Sequence, residues 1–196
     1  MSALVQAQVA GEPVILVVGD SLSAGYGVAV DSTWVALLER RLEAQGYGYR
    51  VVNASVSGET TGGARARLPR ALEVHDPSII VLELGGNDGL RGLPLGQIRS
   101  NFEFLIERSI GAGAKVVLVG MRIPPNYGAA YADRFHALYA ELARKYELPH
   151  VDFFLEGVAL DDTLMQADGI HPSVEAQARL LDNVWPTLRA TLQNQE

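Results

Sequence analysis

The sequence predicts an α/β fold: a three-layer α/β/α sandwich built on a five-stranded parallel sheet. Three observations carry this reading. Short apolar runs alternate with helical patterns along the 196 residues. The strongest of these runs are apolar at every position, as strands buried on both faces are. The segments between them repeat at helical spacing over roughly 10–17 residues, the length of the crossover helix in a βαβ unit.

Taken in order, Val14-Ile15-Leu16-Val17-Val18 is the first strand and stops at Gly19. Trp34, Leu37, Leu38 and Leu42 then fall on one helix face, with Glu39 and Arg40 opposite. Asp31 or Ser32 is the expected cap of that helix. Arg50-Val51-Val52-Asn53 reads as the second strand, followed by a short helix over residues 61–73. Ile79-Ile80-Val81-Leu82-Glu83-Leu84 is the third strand and runs into Gly85-Gly86. Ile98, Phe102, Leu105, Ile106 and Ile110 mark a helix that Gly111 and Gly113 end. Lys115-Val116-Val117-Leu118-Val119-Gly120 is the fourth strand, and Tyr131, Phe135, Leu138, Tyr139, Leu142 and Tyr146 define the helix after it. Residues 148–151 form a weak fifth strand. Pro172 is expected as the first residue of the last helix, with Val174, Ala178, Leu181, Val184 and Leu188 on one face. Five such strands suggest a flavodoxin-like sandwich. No repeat or linker interrupts the pattern, so residues 1–196 read as one domain with residues 1–12 as a flexible extension.

Bulk properties narrow the function. Apolar residues make up 48% and charged residues 20%, the balance of an ordinary soluble domain. A net charge of −7 disfavours nucleic acid. The densest basic stretch, residues 65–70, carries three arginines and Pro69 and reads as a solvated helix face. Without cysteine there is no disulfide, thiolate nucleophile or cysteine metal site, and the redox compartment stays open. No apolar run approaches ~18 residues, so no membrane insertion is expected. Residues 1–10 lack a basic region and an uninterrupted apolar core and are not an intact signal peptide. The small residues of Ala7-Gln8-Val9-Ala10 leave a trimmed remnant of one open.

In parallel α/β folds ligands gather at the carboxyl ends of the strands, near the switch in strand order. The loops after Val18, Asn53, Leu84 and Gly120, and the segment before the last helix, are therefore the places to look. The first holds Gly19-Asp20-Ser21-Leu22-Ser23. A Gly-Asp-Ser turn is common by itself. It lacks the ending of a phosphate-binding loop and the second glycine of a Gly-x-Ser-x-Gly elbow. Gly85-Gly86-Asn87-Asp88-Gly89 offers the Asn87 amide as a donor, although an Asn-Asp-Gly turn explains it equally well. The loop after Asn53 offers Gly58 as a backbone donor. Ala167-Asp168-Gly169-Ile170-His171-Pro172 places a carboxylate three residues before a histidine. There Asp168 can hold one imidazole nitrogen of His171, fixing its tautomer, while the other faces the site. His75, His136 and His150 lie in helical or strand patterns without so clear a partner. A hydroxyl, a backbone N–H, an amide and an Asp-x-x-His pair on converging loops point to nucleophilic chemistry at Ser21.

These blocks resemble the SGNH, or GDSL, hydrolase superfamily, matching Ser21, Gly58, Asn87 and His171, with Asp168 completing a triad. The chain is most similar to its acyl-CoA thioesterase I, lysophospholipase L1 and arylesterase group. The resemblance rests on Gly19-Asp20-Ser21-Leu22-Ser23-Ala24-Gly25-Tyr26, Val52-Asn53-Ala54-Ser55-Val56-Ser57-Gly58, Glu83-Leu84-Gly85-Gly86-Asn87-Asp88-Gly89-Leu90-Arg91-Gly92, Pro124-Pro125-Asn126-Tyr127-Gly128 and Met165-Gln166-Ala167-Asp168-Gly169-Ile170-His171-Pro172. It covers residues 14–188. Glu59 stands where relatives often have Asp. The resemblance implies the SGNH fold, a Ser21-His171-Asp168 triad, and an oxyanion hole made of the Ser21 and Gly58 N–H groups and the Asn87 side chain. It implies no metal or organic cofactor. Expected substrates are small acyl esters and thioesters: aryl esters, acyl-CoA and lysophospholipids. Leu22, Leu90, Ile123, Pro124 and Tyr127 are the expected acyl-groove residues, and Leu90-Arg91-Gly92-Leu93-Pro94 is expected to move over a bound chain. A periplasmic or secreted location is imported the same way. The shared blocks leave an acetyl esterase or carbohydrate deacetylase as an alternative. A metallophosphoesterase, suggested by Gly19-Asp20 and Gly86-Asn87-Asp88, and a non-catalytic binding module compete from other classes.

Overall fold

The computed structural model describes residues 12–192. The expected extension, with the residues that left a trimmed leader open, therefore lies, but for Glu12, outside the described residues. Strands β1 (Val14–Gly19), β2 (Arg50–Asn53), β3 (Ile79–Glu83), β4 (Lys115–Val119) and β5 (His150–Val151) form one parallel sheet in the order β2-β1-β3-β4-β5. This is the flavodoxin-like order, with the switch between β1 and β3. β1 and β3 are buried along their whole length, which is why their sequences are nearly continuous apolar runs. The exception is Glu83, an acid with no exposed surface in the buried strand β3.

Short helices α1 (Ser21–Ala24) and α4 (Gly86–Leu90) follow β1 and β3 directly. The longer ones are α2 (Trp34–Ala44), α3 (Thr61–His75), α5 (Leu95–Gly111), α6 (Ala129–Tyr146) and α7 (Gln177–Arg189). α2 packs on α7 and on β2, whereas α3, α5 and α6 pack side by side against β1, β4 and β5. The fully buried Trp34, Phe154, Phe102, Phe135 and Tyr139 fill the space between helices and sheet. Among the described residues no helix is long and apolar enough to cross a membrane.

Three local expectations change. α2 is capped by Thr33, whose hydroxyl accepts from Ala36 N at 3.3 Å; Asp31 and Ser32 instead lie in a 3-10 turn. The last helix starts at Gln177, five residues beyond Pro172. Pro172 pairs with Met165 in an antiparallel bridge, and Gln166 N→His171 O at 2.7 Å and Ser173 N→Leu164 O at 2.8 Å flank it. Proline suits the edge of such a bridge as well as a helix start, because neither needs its N–H. Val174 and Ala178 are consequently exposed, and α7 buries Leu180, Leu181, Val184, Trp185 and Leu188. Thirdly, the arginines of residues 65–70 are not all solvated. Arg67 pairs with Glu59 and donates to Ala54 O at 3.2 Å, and Arg65 lies over the Phe104 ring.

Candidate active site

β1 and β3 are in register with Gly19 opposite Glu83, so the loops beginning at Asp20 and Leu84 leave the sheet side by side. Val56 N→Gly19 O at 3.1 Å lays the loop after β2 along the same edge. Gly85 makes the turn out of β3 with φ +100, and a Cβ there would meet the Tyr139 hydroxyl 2.2 Å away. Only glycine combines that conformation with that closeness.

Ser21, the first residue of α1, meets the hairpin from the other end of the chain. His171 Nε2 lies 2.9 Å from Ser21 Oγ, and His171 Nδ1 lies 2.7 Å from Asp168 Oδ2. Asp168 Oδ1 also accepts from the N–H groups of Ile170 at 2.9 Å and His171 at 3.0 Å. These hydrogen bonds hold the Asp168 carboxyl down to about pKa 2. An ionised carboxylate can only accept, so Nδ1 carries the proton, and the neutral ring then presents Nε2 as an acceptor to the Ser21 hydroxyl. Tyr26 lies against the imidazole, with ring centroids 4.4 Å apart. Gln166 Nε2 donates to Tyr26 O at 2.7 Å and to Pro172 O at 3.0 Å, tying that ring's loop to the hairpin.

Asn87 sits in α4, and its Nδ2 donates to Asp20 Oδ2 at 3.1 Å. Burial pushes the Asp20 carboxyl up to about 6, against the pull of bonds from Leu22 N and Asn87. Beneath it, burial and the neighbouring Asp20 raise Glu83 well above the usual carboxylate range. Ser23 Oγ donates to Glu83 Oε2 at 2.6 Å, and Trp34 Nε1 donates to Ser23 Oγ at 3.2 Å. Gly58 has φ +78, and Arg91 Nη2 donates to its carbonyl at 3.1 Å. Asp88, fully buried, accepts from Thr61 N at 2.9 Å and from the Thr61 hydroxyl, joining the loop of Asn87 to the start of α3. Among the described residues no three His, Asp or Glu side chains are arranged to hold a metal ion.

The chain and its architecture have counterparts among known proteins. The family model described as GDSL-like Lipase/Acylhydrolase family matches residues 17–179. The chain belongs to that family. Esterase TesA of Pseudomonas aeruginosa is 50% identical over 185 residues, covering 94% of this chain and 92% of that one. Thioesterase 1/protease 1/lysophospholipase L1 of Escherichia coli K12 is 41% identical, covering 86% of this chain and 79% of that one. Among solved structures, the psychrotrophic esterase EstA from Pseudoalteromonas sp., inhibited by monoethylphosphonate, superimposes with a TM-score of 0.87 at 37% identity, covering 90% of this chain and 97% of that one.

The structure of this GDSL-like hydrolase brings Ser21, His171 and Asp168 into one hydrogen-bonded line and ties Asn87 and Gly58 to neighbouring loops. The expected groove residues fare unevenly. Leu22 and Ile123 are core residues with 7% and 6% of their surface exposed, leaving little to offer an acyl chain. Leu90 is half-buried, and Pro124 and Tyr127 are exposed. Leu93 O accepts from the Tyr131 hydroxyl at 2.7 Å, so residues 90–94 are fastened near their far end. His136 also meets a carboxylate, Asp152 Oδ1 at 3.2 Å, but Arg122 shares that acid. Asp20, Arg91, Tyr26 and Gln166 stood inside the quoted motifs without a role. The signal for Glu83 was a lone charge in an otherwise apolar strand.

Proposed function

We propose that Ser21 is the nucleophile of a hydrolase acting on carboxylic esters and thioesters, with His171 as general base and Asp168 as the group that orients it. The observation that carries this reading is the pair of short contacts on His171, 2.9 Å to Ser21 Oγ and 2.7 Å to Asp168 Oδ2. His171 Nε2 takes the hydroxyl proton as Oγ attacks the acyl carbon. The Ser21 and Gly58 N–H groups and the Asn87 amide hold the resulting oxyanion. Collapse of the intermediate expels the alkoxide or thiolate, which receives the proton from His171. Water then gives a proton to His171 and attacks the acyl-enzyme. The second collapse releases the acid and returns the proton to Ser21.

Names of the relatives, namely esterase, arylesterase and thioesterase 1/protease 1/lysophospholipase L1, support small acyl donors of several leaving groups. A kcat/KM panel of p-nitrophenyl esters, acyl-CoAs and lysophospholipids of graded chain length tests this reading. Turnover of both the oxygen and the sulfur esters is expected; activity on acetylated sugars alone would replace it with a deacetylase. Asn87→Ala is expected to keep the fold and lose about 10²–10³ in kcat, as removal of one oxyanion donor does. Near-normal turnover by that variant would remove Asn87 from the mechanism.

A further inference from the structure

Arg91 touches both residues that hold the oxyanion from outside the nucleophile loop. Its backbone N–H donates to Asn87 O at 3.1 Å, closing the turn that presents the amide. Its guanidinium Nη2 donates to Gly58 O, also at 3.1 Å. The side chain therefore spans the gap between the loops after β2 and β3 and ends on the Gly58 carbonyl, the peptide that follows the backbone donor.

Gly58 needs such a brace. It is exposed, lies at φ +78, and has open space where a Cβ would stand. A glycine in that setting has no side-chain packing to select one conformation. One backbone bond, Glu59 N→Val56 O at 3.0 Å, closes the turn that contains Gly58, and the neighbouring side-chain ties act on other residues. Asp88 holds Thr61 at the start of α3, and Arg67 holds Ala54 and Glu59. Arg91 acts on Gly58 itself.

We propose that Arg91 is a positioning residue for the oxyanion hole, fixing the Gly58 N–H in register with the Asn87 amide. This rests on the reading of Gly58 and Asn87 given above. Donors of this kind act mainly on charge that develops in the transition state, so their misplacement lowers kcat more than it raises KM.

The test compares wild type, Arg91→Ala, Arg91→Gln and Asn87→Ala on a p-nitrophenyl ester and an acyl-CoA carrying the same acyl chain. Arg91→Ala is expected to lose about 10- to 100-fold in kcat on both substrates, with KM little changed. Millimolar methylguanidinium should restore part of that rate, which a change in stability alone would not produce. Arg91→Gln keeps a donor and serves if the alanine variant folds poorly; its kcat should lie between those of the alanine variant and wild type. Unchanged kcat in both folded Arg91 variants overturns the proposal. So does a loss confined to the KM of the phosphate-bearing acyl-CoA, which marks Arg91 as an anion-capture residue. An active Asn87→Ala would instead overturn the oxyanion reading on which the proposal stands.

Discussion

Asn87 Nδ2 donates to Asp20 Oδ2 across 3.1 Å, joining the ends of the two strands at the switch in sheet order. The same carboxylate accepts from Leu22 N at 3.0 Å, capping α1. A carboxylate offers no proton when ionised, so it selects the NH₂ end of the Asn87 amide and leaves that group's second hydrogen for an oxyanion. Asp20→Asn removes the selection. The new amide caps Leu22 with its oxygen and faces Asn87 with its nitrogen, which turns the Asn87 carbonyl toward the reacting oxygen. A loss of about 100-fold in kcat is expected, similar to loss of an oxyanion donor. Steady-state kinetics on a folded variant measure it, and unchanged kcat would deny Asp20 this role.

Asp20 also sets a pH dependence of stability. Its folded pKa of about 6 exceeds the ordinary 3.8, so between these values the folded chain holds a proton that the unfolded chain has released. Stability from this group is therefore highest below pH 3.8, falls as pH rises toward 6, and changes no further above it. The difference corresponds to about 3 kcal/mol, an order-of-magnitude figure for a buried acid beside Glu83. Urea unfolding of wild type and Asp20→Asn across this range should show the variant gaining on wild type as pH rises. Parallel curves would contradict the assignment.

Asp168 behaves in the opposite sense. Its pKa is lowered to about 2 by the N–H groups of His171 and Ile170 and by the imidazole, so the acid stays ionised throughout the working range of an esterase. Asp168→Asn keeps an acceptor for the two backbone bonds but frees the imidazole tautomer. A loss of about 10⁴ in kcat is expected, with little change in melting temperature. A loss of less than tenfold at neutral pH would mean that the Asp168 charge is not needed.

How much of this was legible in the sequence follows from which residues act locally. The buried strands were readable because β1, β3 and β4 bury both faces and admit almost no polar residue. That Ser21, Asp168 and His171 come together was readable because strand ends and an Asp-x-x-His spacing locate them. Pro172 misled because a proline closes a hairpin edge as readily as it opens a helix; Gln166 N→His171 O and Ser173 N→Leu164 O, which join two antiparallel segments, decide between the two. The Asp20–Asn87 and Arg91–Gly58 contacts join residues 67 and 33 positions apart, and only the parallel register of β1 with its neighbours brings them together. Leu22 and Ile123 are apolar and buried, and apolar type in the sequence does not by itself distinguish a groove wall from the core beneath it.

Reaction with a fluorophosphonate reports whether Ser21 is the nucleophile. Wild-type protein should take up one phosphonyl group per chain, found by mass spectrometry on the peptide containing Ser21, with esterase activity falling in step. Folded Ser21→Ala should neither react nor turn over. Phosphonylation of a different residue that accounts for the loss of activity, or full turnover by Ser21→Ala, would place the nucleophile elsewhere.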